Sequence, residues 1–98
     1  MTGSGATVPV QSIKTCVVYD STTGQIHHQH HVLTLVGGRE PAEDEIARDA
    51  LQAVKSRHDA PKGNLQVLHV RHDAMEKEKK YRVDVGKREL VLDEVVSG

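Results

Sequence analysis

The sequence predicts a small α+β domain in the order β-β-α-β-β-β, with one amphipathic helix packed on a four- to five-stranded mixed or antiparallel sheet. Three observations carry this. β-branched and apolar runs recur five times, each bounded by clusters of Gly, Asp or Ser. Only the stretch between Gly37-Gly38 and Gly63 spaces its apolar residues at helical period. And 98 residues without Phe or Trp, with Tyr19 and Tyr81 the only aromatics, allow one thin core of Val, Leu, Ile and Ala.

Residues 1–12, rich in Gly, Ser and Thr, are expected to be a flexible leader, and residues 13–96 the folded domain. Ile13–Tyr19 reads as a strand. Asp20-Ser21-Thr22-Thr23-Gly24 reads as a turn, because Asp and Ser bond nearby backbone and Gly accepts positive φ. Gln25–Val36 then returns as the second strand of a hairpin. One of its faces shows Ile26, His28, His30, Val32, Thr34 and Val36, and the other shows His27, Gln29, His31, Leu33 and Leu35. Its first half is imidazole on both faces; its second half is apolar on both, the pattern of a doubly covered strand.

A helix over residues 41–58 follows. Pro41 is placed at its first position, Glu43, Asp44 and Glu45 in the first turn, and Lys55, Arg57 and His58 in the last, as the helix dipole favours. Ile46, Ala47, Ala50, Leu51, Ala53 and Val54 form the apolar stripe. Residues 64–72 supply a third strand. Residues 80–85 and 89–95 form a second hairpin around Gly86-Lys87-Arg88. Tyr19-Asp20 and Val83-Asp84 open similar polar hairpins, too generic to mark a duplicated unit.

Composition excludes some functions and leaves others. Thirteen Lys and Arg against fourteen Asp and Glu give a net charge of −1, so no global field draws nucleic acid or an anionic membrane. A single cysteine, Cys16, rules out an intramolecular disulfide and a Cys-rich zinc site. No apolar run approaches the ~20 residues of a membrane span, and no secretory pattern opens the chain, so the expected compartment is the cytoplasm.

Four of the seven histidines fall in Gln25–Val36. His28 and His30, two apart on one strand face, are the candidate metal ligands, joined by His69 if the third strand lies alongside. Zinc or another transition metal is the ion such a set would take; the sequence implies no other cofactor. Cys16 reads as a small apolar filler rather than a nucleophile, because no orienting group or oxyanion donor accompanies it. Gly37-Gly38-Arg39 precedes a helix, but Glu40, Glu43, Asp44 and Glu45 would repel an anion there. Lys77, Lys79, Lys80, Arg82, Lys87 and Arg88 are interleaved with Glu76, Glu78, Asp84 and Glu89 and lack an aromatic platform, which argues against nucleic acid.

The reading ranked first is a non-enzymatic module that self-associates or binds a protein partner, with no catalytic residue assigned. Val32, Leu33, Leu35 and Val36 form the candidate interface, and a homodimer is the favoured assembly. A histidine-based metal-binding protein ranks second, and nucleic-acid binding through the basic C-terminal hairpin third.

Overall fold

The strand at the centre of the molecule is the first one. A computed structural model describes residues 9–93, in the order β1 (Val10–Asp20), β2 (Ile26–Leu35), α1 (Glu43–Lys55), β3 (Leu65–Val70), β4 (Tyr81–Asp84) and β5 (Glu89–Leu92). β1 lies between β2 and β3 and pairs antiparallel with both, whereas β4 and β5 form a separate two-stranded sheet. The α+β class and the element order match expectation. The single four- to five-stranded sheet does not: the strands divide into a sheet of three and a sheet of two.

The physical reason lies in Cys16-Val17-Val18-Tyr19, four consecutive buried residues. Alternation sends Cys16 and Val18 to one face and Val17 and Tyr19 to the other. On the first face they pack with Ile46, Ala50 and Val54 of α1, bordered by Val32, Leu51, Leu65 and Val67. On the second they pack with Val83 of the β4–β5 hairpin, bordered by Ile26, Leu68 and Met75. The helix is thus one cover of β1 and the hairpin the other. Tyr19 is admitted to this interior because its hydroxyl donates to Gln66 Oε1 at 3.0 Å.

Local chemistry sets the ends of the elements. Asp20 Oδ1 accepts from the amides of Thr22 (2.7 Å) and Thr23 (3.0 Å), the Gly24 amide donates to the Asp20 carbonyl at 2.8 Å, and Gly24 takes φ 80°. The second hairpin repeats this arrangement. Asp84 Oδ1 accepts from Gly86 and Lys87, the Arg88 amide donates to the Asp84 carbonyl, and Arg88 holds φ 56°. The likeness of the two stretches is therefore a shared turn geometry.

The helix is shorter than its charge pattern suggests. Ala42 is its N-cap, so Pro41 precedes the helix rather than opening it. At the other end Ser56 Oγ donates to the Gln52 carbonyl at 2.8 Å. Arg57 leaves the axis and its guanidinium donates to the His27 carbonyl, at 3.0 and 3.3 Å. β1 starts three residues before the expected Ile13: Val10 pairs with Leu35, and the Val36 amide donates to the Pro9 carbonyl. The rest of the expected leader, residues 1–8, and the end of the last expected strand lie outside the described residues.

Candidate functional site

Residues directly opposite in an antiparallel pair share a face, so the register assigns every histidine of β2 to a side. On the helix side His30 faces Cys16 from β2 and His69 faces it from β3, making a row His30–Cys16–His69 across the sheet. The next row is His28–Val18–Val67. The three histidines expected to bind metal thus share the helix-covered face. Two of them are neighbours: the rings of His28 and His30 are 5.6 Å apart, centre to centre, and tilted by 46°. His69 lies beyond the Cys16 column, its Nδ1 4.0 Å from Glu43 Oε2. Among the described residues, no three His, Cys, Asp or Glu side chains converge to hold a metal ion.

Burial has opposite consequences for the two kinds of group in this layer. It pushes the Cys16 thiol up to about 11, so the sulfur is a neutral thiol at pH 7, not a thiolate nucleophile. It pushes His28 below the usual histidine value, and the nearby His30, Arg57 and His31 push in the same direction. Nε2 of His28 is buried with no hydrogen-bond partner among the described residues. On the opposite face His31 is bound into the sheet, its Nδ1 2.8 Å from the hydroxyl of the buried Thr15.

The candidate interface residues divide in the same way. Val32 turns toward the helix and borders its core. Leu33 and Leu35 turn to the other face, beyond the cover of the hairpin, and are 57% and 43% exposed; Val36 is 59% exposed. Val10, paired with Leu35, is exposed as well. Leu33 and Leu35 belong to β2, an edge strand of ten residues, IHHQHHVLTL, with no Lys, Arg, Asp, Glu or Pro, and Val36 follows it directly. Native sheets commonly guard an edge with one of those residues, a short strand or a cover. Here Arg57 touches the edge only near its start, at His27.

The basic residues of the last third do not all gather in one place. Arg88 reaches toward the Val67 carbonyl, 3.5 Å away on the β3 edge. Lys79, Lys80 and Arg82 instead line a cavity of about 560 Å³ with Thr23, Gln25, Ile26, Gln29, Tyr81 and Asp93. No local pattern signals this cavity, because its walls come from the first turn, the start of β2 and the second hairpin.

Comparison with protein families, characterised proteins and solved structures finds no match to this chain. No helix among the described residues is long and apolar enough to cross a membrane.

Proposed function

We propose that the protein is a non-enzymatic module that self-associates through β2 as a two-fold dimer. The observation that carries this is the bare edge: ten uncharged residues that end in exposed Leu33 and Leu35, with exposed Val36 directly after them. A second copy suits that edge because its apolar residues are gathered in one half. Antiparallel pairing centred on Leu33 sets Leu33 beside its own image and Leu35 beside the image of His31, and leaves the remaining imidazoles at the two wet ends. Each three-stranded sheet would continue into the other, removing both β2 edges. The sealed, neutral thiol of Cys16 supports the non-enzymatic half of the reading.

Light scattering tests it. The expected mass is twice the 10.8 kDa of the chain, with Leu33→Asp returning a folded monomer. A wild-type protein that stays at 10.8 kDa at high micromolar concentration ends this reading, as does a partner protein adding its own strand in place of the second copy.

A different observation favours a second reading, in which His28 and His30 chelate zinc or another transition metal. Their rings are neighbours, and His28, with its bare Nε2, favours the neutral form that metals bind. Zinc calorimetry is expected to show one ion per chain and proton release. Loss of that heat in His28→Ala with His30→Ala, but not in His58→Ala, supports this reading; equal loss in both overturns it.

A further inference from the structure

We propose that the cavity between the first turn and the second hairpin is a binding site for a small oxyanion, a phosphate or carboxylate compound carrying two or more negative charges. The inference does not rest on self-association, which uses the far half of β2.

The cavity, about 560 Å³, is of the size that holds small ligands. Three cations line it, Lys79, Lys80 and Arg82, against one carboxylate, Asp93. Two of those cations, Lys80 and Arg82, are at most loosely neutralised. Arg82 Nε lies 3.9 Å from Asp93 Oδ1, a long and half-exposed pair. Lys79 is held by Glu76 at 2.8 Å, and among the described residues Lys80 has no ion-pair partner. Gln25 and Gln29 add side-chain amides, which donate as well as accept, and Ile26 gives an apolar patch beside them.

The backbone is shaped to this arrangement. Glu78, immediately before the two lysines, holds φ 70°, a left-handed conformation that costs a non-glycine residue about 1–2 kcal/mol. Such strain concentrates at ligand sites, where the surrounding structure maintains it. The chain leaves that kink with Lys79 and Lys80 both at the cavity. Arg82 is brought to the same place by its bridge to Gln25, and the Asp93 amide donates to the Lys80 carbonyl at 2.8 Å, closing the far wall. A concave cluster of this kind fits a compact anion with several oxygens better than a nucleic-acid duplex, which needs a stripe.

Titration with inorganic pyrophosphate and with citrate, followed by calorimetry and amide chemical shifts at low ionic strength, tests the site. One saturable site per chain is expected, with shifts at Gln25, Gln29 and Lys79–Arg82. Lys80→Gln with Arg82→Gln should weaken binding at least tenfold, while Arg48→Gln with Lys55→Gln, an equal charge loss on the helix, should leave it unchanged. Gln29→Glu, an exposed position that puts a carboxylate at the cavity, should weaken it too and keeps the test open if the double variant fails to fold. No saturable binding, equal loss in the helix pair, or binding only of single-stranded oligonucleotides with affinity growing with length would each overturn the proposal.

Discussion

The carbonyl oxygen of Val83 stands where a Cβ on Gly24 would have to be. The two residues are also joined by a hydrogen bond, the Val83 amide donating to the Gly24 carbonyl at 2.9 Å. The second hairpin is therefore pressed directly onto the backbone of the first turn, and only glycine permits that approach. Its φ of 80° adds a second requirement for glycine. Gly24→Ala is expected to cost more than about 1 kcal/mol in urea unfolding. It should also speed hydrogen exchange at the Val83 amide more than at the β1 amides.

Arg88 occupies the position in the second turn that Gly24 holds in the first, and holds φ 56° without glycine's freedom. Relieving the backbone there should be a net gain. Arg88→Gly is expected to raise stability by about 0.5–1 kcal/mol, the left-handed penalty less the added chain entropy of glycine. A decrease would mean that its contact with the Val67 carbonyl outweighs the strain.

Ile46 and Leu33 are both large and apolar, and the structure assigns them opposite roles. Ile46 is buried under β1 and Leu33 is exposed on the β2 edge. Ile46→Ala is expected to destabilise by about 2–5 kcal/mol through transfer and cavity costs. Leu33→Ala should change the unfolding free energy of the dissociated chain by less than about 0.5 kcal/mol. Its effect should appear in the concentration dependence of light scattering.

Acidification is expected to destabilise the fold in two separate windows. The folded state holds His28 below its usual value of 6.5, by burial first and by His30, Arg57 and His31 next. The unfolded chain therefore takes up that proton first; stability is full above 6.5 and is lost as pH falls below it. Asp20 is held below its usual 3.8, chiefly by the Thr23 amide and then by that of Thr22, so its contribution persists until pH falls past 3.8. Thermal melting from about pH 8 to pH 5 should fall in the wild type and flatten in His28→Leu, which has nothing to protonate there. Parallel slopes in the two proteins would assign the loss to another group.

The parts of this fold that the sequence announces are those made by neighbours in the chain. Asp20 to Gly24 is legible because the carboxylate, the two amides it binds and the glycine all lie within one turn. The helix is legible from Ile46, Ala50 and Val54. The order of strands is not, because β1 and β2 are both long runs with apolar stretches, and what distinguishes them is the pairing of Val17 with Leu68, far along the chain. One clue was present. Histidines on both faces of β2 suit an edge, whereas Cys16-Val17-Val18-Tyr19 has no polar alternation at all. The shared face of His28, His30 and His69 follows from alternation once β1 is placed between the strands that carry them. The cavity has no such shortcut, since Thr23 and Asp93 meet only through the docking of the second hairpin.

Because β1 wears a different cover on each side, the chain carries its own pair of optical and chemical reporters. The only thiol, Cys16, is sealed beneath α1, while Tyr19 lies beneath the β4–β5 hairpin and Tyr81 belongs to that hairpin. With no tryptophan to mask them, the two phenols report the release of the hairpin. Alkylation of the sulfur times the lifting of the helix. A perturbation such as Gly24→Ala should change tyrosine emission well before it quickens thiol labelling. Ile46→Ala should do the reverse. Two clocks running at different rates in one unmodified chain would show its halves opening separately, and a shared rate would show β1 locking them into one cooperative unit.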